Sequence, residues 1–126
     1  MKLHADKTTL QSITAYGENW IAVDGERHAH SLVLSWSGQR RPWSCQRFDT
    51  LQPTDFEQLL EHLPQAPELL LFGSGTRLRF AHPALLQNLL QQRIGVETMD
   101  TRAACRTYNI LAAEGRRVVA ALLLES

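Results

Sequence analysis

Glu68-Leu69-Leu70-Leu71-Phe72-Gly73-Ser74-Gly75 is a continuous apolar run that ends abruptly in two glycines. A short apolar run closed by turn residues reads as a buried strand. Two more strands follow, Val96 to Met99 and Val118 to Leu124. The segments between them read as helices. His82-Pro83 opens the first, with proline where its missing N–H costs nothing. Leu85, Leu86, Leu89 and Leu90 form its inner face, and Gly95 ends the connection. Asp100 or Thr101 caps the next helix, which runs to Glu114 and stops at Gly115. Strand, helix, strand, helix, strand with short links predicts a parallel α/β unit.

Working towards the N-terminus, Pro53-Thr54-Asp55-Phe56-Glu57 predicts a further helix start. Thr54 is the expected cap, with Glu57 reaching back to it as a capping box. Phe56, Leu59, Leu60 and Leu63 give its apolar face, and Pro64 and Pro67 end it. Before it, Ile13 to Tyr16, Trp20 to Val23 and His30 to Trp36 read as short strands. Asp24-Gly25 is a hairpin turn, because both central residues of such a turn take positive φ. The expected architecture is one α/β domain over 1–126. Residues 1–52 would form an antiparallel β layer, packed on a mainly parallel sheet with three helices over 53–126.

A length of 126 residues suits one domain able to bury its own core. Thirteen Lys+Arg balance thirteen Asp+Glu, so a strongly basic, nucleic-acid-gripping surface is not expected. The zero hides an asymmetry. Residues 1–70 carry nine acids and six bases, whereas residues 71–126 carry four acids and seven bases, all arginine. A positive potential is therefore expected around the strand ends of the second half. The longest apolar stretch is too short for a transmembrane segment. The N-terminal residues have no apolar signal core, so the expected address is cytoplasmic. Cys45 and Cys105 lie too far apart for a CxxC pair and are too few for a disulfide framework.

Ligands of open parallel sheets collect beyond the carboxyl ends of the strands. Gly73, Ser74, Gly75, Arg77, Asp100 and Thr101 fall there, and Asn109 lies in mid-helix, where a poor helix former suggests a specific hydrogen bond. These seven residues are the candidate site for a small anion or carboxylate. The loop has neither GxGxxG nor GxxxxGK[ST] spacing, so a plain tight turn competes with that reading. Arg102, Cys105, Arg106 and Asn109 fall on one side of the last helix. Ala103, Ala104, Thr107, Leu111 and Ala112 give a small-residue side suited to a sheet. Neighbouring arginines would lower the Cys105 thiol pKa, but an inert, partly buried cysteine is the plainer expectation. His28-x-His30 is an isolated pair, so no metal is expected. Arg40-Arg41-Pro42-Trp43 is too short to bind nucleic acid by itself. Trp36 and Trp43 are the candidate partner-contact residues, although Trp43 also fits a core position under a solvated loop.

Four segments carry a resemblance: Phe72 to Thr76, Gly95 to Thr101, Ala104 to Leu111, and Glu114 to Val118. Together they make the chain similar to a small domain-of-unknown-function family of bacteria and archaea. Its eukaryotic relatives include mitochondrial complex I assembly factor 3 and an adipogenesis-associated domain protein. The family's glycine loop usually holds Thr between the glycines; here Ser74 keeps the hydroxyl. The resemblance implies a compact α/β domain, no catalytic residue, no cofactor, and action through protein contacts in respiratory-complex assembly. The first functional reading is thus a non-enzymatic protein-interaction domain, with protein partners expected and a homodimer as one option. The rival is an anion-binding protein, or an unrecognised enzyme, with a cleft at the strand ends.

Overall fold

The computed structural model describes residues 10–125. Among the described residues, eight strands form two sheets. β1 (Ile13–Tyr16), β2 (Ile21–Val23) and β3 (Glu26–His28) make a small antiparallel sheet. β4 (Leu32–Ser35), β5 (Arg40–Pro42), β6 (Leu69–Gly73), β7 (Gly95–Met99) and β8 (Val118–Leu122) make the main sheet, in the order β5-β4-β8-β6-β7. The helices are α1 (Pro53–Glu57), α2 (Gln87–Gln91) and α3 (Thr101–Ala113). Short 3-10 turns extend α1 at its end and α2 at its start.

The main sheet is mixed, which corrects the mainly parallel expectation. β8-β6-β7 are parallel as expected. β4 and β5 leave the N-terminal layer and join antiparallel at β8. The reason lies in β4, whose residues are buried on both faces. A strand of that kind belongs inside a sheet, not over one. Two strands lie outside the three N-terminal runs expected from the sequence. β3 follows the Asp24-Gly25 turn, whose φ values of 49° and 87° fit a hairpin. β5 is Arg-rich and pairs antiparallel with β4, while Arg40 donates to Gln11, Asp24 and Glu26 and Arg41 donates to Gln58 O.

Side chains alternate across β8 and divide the core in two. Val118, Ala120 and Leu122 face α3 and the small sheet; Val119, Ala121 and Leu123 face α1 and α2. The second core centres on Phe72, which meets Trp43 and Phe56 edge-on. Trp43 is 1% exposed and its indole N–H donates to Asp55 O at 2.9 Å. A partner contact through Trp43 therefore has no surface to act through. Trp36 is half-buried and packs against both cores.

The α1 cap also differs from expectation. Gln52 and Asp55 form the reciprocal box around Pro53, not Thr54 and Glu57. Pro53 is better placed inside the helix than before its cap. On α3 the buried stripe is Thr101, Ala104, Cys105, Tyr108 and Ala112, the spacing of one helix face. Cys105 thus packs inward as a small apolar residue, and Ala103 and Thr107 lie at the margins. Tyr108 donates its hydroxyl to Ser35 O at 3.0 Å and ties α3 to the end of β4.

Asn109 is the second tie. Its Oδ1 accepts the Ile13 N–H and its Nδ2 donates to Ile13 O, both at 2.8 Å. One amide thus satisfies both backbone groups of a residue at the edge of β1. Asn109→Ala leaves these part-buried groups unpaired, a loss of about 1–3 kcal/mol. Thermal unfolding should show a fall in Tm of several degrees, with amide protection lost first in β1.

Candidate functional site

β6, β7 and β8 end side by side, with Gly73 opposite both Met99 and Leu122. Gly73, Ser74, Gly75, Asp100 and Thr101 converge there as expected. Their chemistry is directed inward. The Ser74 N–H donates to Met99 O, and the Gly75 N–H donates to Thr101 Oγ1, each at 2.9 Å. Thr101 returns its own N–H to Gly75 O at 2.9 Å and donates its hydroxyl to Leu123 O at 2.8 Å. The Asp100 carboxylate caps α3 by accepting the Ala103 N–H at 2.9 Å. Amide donors that an anion would need are already committed to the fold.

Gly73 lets the strand and the helix start pack closely at this junction. A Cβ there would sit 3.1 Å from the Thr101 Cα and Oγ1 and 3.2 Å from the Ala104 Cβ. A side chain there would crowd the helix start, which would have to shift by a few tenths of an ångström.

Two candidates do not take part. Asn109 is engaged at β1, and Arg77 points to solvent at the loop tip. Arg79 takes the organising role instead. Its Nε and Nη2 donate to Ser74 O at 3.1 and 2.6 Å, and Nη2 also reaches Glu125 Oε1 at 2.7 Å. Its guanidinium lies 4.4 Å from the Phe48 ring centre, within cation–π range. Glu125 Oε2 accepts the Phe48 N–H at 2.6 Å. No spacing rule connects Arg79 to Glu125, because the pair forms only once β8 lies beside β6.

A cavity of about 30 Å³ lies between this junction and the small sheet, lined by Tyr16, Ile21, Gly75, Thr101, Cys105 and Leu124 among others. That is room for a water or two, far below a metabolite pocket. Outside it, Glu18, Thr76, Asp100, Arg102 and Arg106 line an open, shallow surface. Acids and bases share it, so the expected positive region is diluted. Arg116 and Arg117 are likewise matched by Glu68 of the other half, at 2.9 and 3.7 Å.

Burial pushes the Cys105 thiol up to about 12, against a smaller lowering by the Arg106 charge. Burial also raises Cys45. Activation by neighbouring arginines is thus outweighed by desolvation. Burial pushes Glu125 up as well, but the Phe48 N–H and Arg79 outweigh it and leave the carboxyl below its ordinary value.

The fold and its end junction define a small mixed α/β domain whose strand-end loop is an internal joint. The chain belongs to the family described as protein of unknown function (DUF498/DUF598), whose model matches residues 13–123. It is similar to NADH dehydrogenase [ubiquinone] 1 alpha subcomplex assembly factor 3 of Bos taurus, 41% identical over 121 residues, which are 96% of this chain and 65% of the bovine one. An uncharacterized protein of Rhodobacter capsulatus is 33% identical over 88% of this chain and 82% of its own. The crystal structure of a Bordetella parapertussis protein superposes with a TM-score of 0.85 at 41% identity, covering 92% of this chain and 97% of that one. The chain spans only part of the assembly factors: the matched segment of the Mus musculus protein is 30% of its length.

Two outcomes follow. Neither thiol of the native protein should react with a thiol reagent at pH 8, and both should react after denaturation. A depressed carboxyl adds stability above its ordinary pKa of 4.5 that is lost as pH falls through its folded value. Glu125→Gln should therefore flatten the acid limb of a stability–pH curve below that point.

Proposed function

We propose that the chain is a non-enzymatic protein-interaction domain with an assembly-factor-like role. The observation that carries this is the similarity to assembly factor 3 over nearly the whole chain. The strand-end geometry supports it. The loop's amide donors are used within the fold, and the adjoining cavity is too small for a metabolite. What remains for recognition is the outer surface. Partner choice then rests on exposed apolar and arginine side chains, which are common anchors of protein interfaces.

The test is affinity purification of the tagged chain from its native host. Subunits of the respiratory NADH dehydrogenase, or intermediates of its assembly, should be retained above a tag-only control. Recovery of the chain without any of them would overturn the reading.

A further inference from the structure

We propose that the Leu78–Phe80 segment is the docking point for a partner protein that offers an apolar pocket rimmed by carboxylates. This rests on the protein-interaction reading above and assigns it a surface. Phe80 is 70% exposed, more than any other large apolar residue among those described, and Leu78 is 53% exposed.

Their exposure is built in. The segment Arg77-Leu78-Arg79-Phe80 alternates charged and apolar side chains. Arg79 turns inward to Ser74 O and Glu125, which leaves Leu78 and Phe80 turned outward. Ser74 Oγ donates to Arg77 O at 2.7 Å and accepts the Arg79 N–H at 2.9 Å. One buried hydroxyl therefore holds the backbone on both sides of Leu78. A side chain presented from a pinned backbone loses little freedom on binding, as preorganised contacts require.

Charge identifies the occupant. Arg77 and Arg102 are exposed, and among the described residues neither forms an ion pair. Both adjoin Thr76, Arg77 in sequence and Arg102 on the surface they share with it. Of the nearby acids, Glu125 is paired with Arg79 and Asp49 with Arg47, Asp100 caps α3, and Glu18 shares the open surface of Arg102 and Arg106. Arg77, the neighbour of Leu78 in the chain, is thus the exposed charge of this segment without an ion pair among the described residues, and its complement is a carboxylate. An anionic bilayer suits this face less well. Glu18, Asp49, Asp100 and Glu125 lie at the same end of the molecule, and two apolar side chains fall short of stable anchoring.

The test is photo-crosslinking in the native host from p-benzoylphenylalanine replacing Phe80 in the full chain. The same substitution at Ile110, exposed on α3, is the control. Position 80 should give an adduct with one other protein. The crosslinked peptide should be apolar with Asp or Glu at its border. Adding Arg77→Glu should cut the yield roughly tenfold, and position 110 should give none. An adduct with a second copy of the chain, a lipid adduct, the same partner from position 110, or no loss with Arg77→Glu overturns the assignment. No adduct at position 80 also overturns it. If the purified chain still retains dehydrogenase subunits, only this surface assignment falls; if it retains none, the functional reading falls too.

Discussion

A single hydroxyl holds the C-terminal end of the main sheet together. Thr101 Oγ1 accepts from the Gly75 N–H and donates to Leu123 O, so it joins the loop after β6, the continuation of β8 and the first turn of α3. Both backbone groups are buried there and would otherwise lack partners. Gly73 favours the bond by letting the helix approach closely. The Gly73 constraint and the Thr101 hydroxyl are thus one device. From it follow the seat of α3 on β6 and β8, the inward turn of Tyr108, and the reach of Asn109 to β1.

The same device explains why this strand end differs from those of ligand-binding open sheets. There, free amides and a helix N-terminus face a crevice. Here Ser74, Gly75 and Thr101 direct their amides to Met99, Thr101 and Gly75, and Asp100 closes the helix start. The space left is a small cavity that also contains the buried Cys105.

Much of this was legible in the residues. The parallel run of β6, β7 and β8, the Asp24-Gly25 hairpin and the limits of α3 follow from apolar runs and turn residues, which are local signals. The convergence of Gly73 to Gly75 with Asp100 and Thr101 also followed, from strand-end logic. The direction of their hydrogen bonds did not, because an amide facing a ligand and one facing Thr101 have the same sequence. β5 escaped notice because backbone pairing to β4 holds Arg40 and Arg41 in a strand against their composition. Asn109 was recognisable as a residue needing a partner, but its partner is Ile13, on a strand far away in sequence. Arg79 and Glu125 show the same limit.

The position of β8 bears on how the chain folds. Leu32 pairs with Leu122 and Leu69 with Val118, so the central strand is the last in chain order among the described residues. A growing chain emerging from the ribosome carries β4 and β6 with their inner edges open until β8 appears. Such non-local closure slows folding and leaves strand edges free to mispair. The five-stranded sheet can therefore close only after β8 has been made. A chaperone that shields apolar strands would act in the interval before that closure.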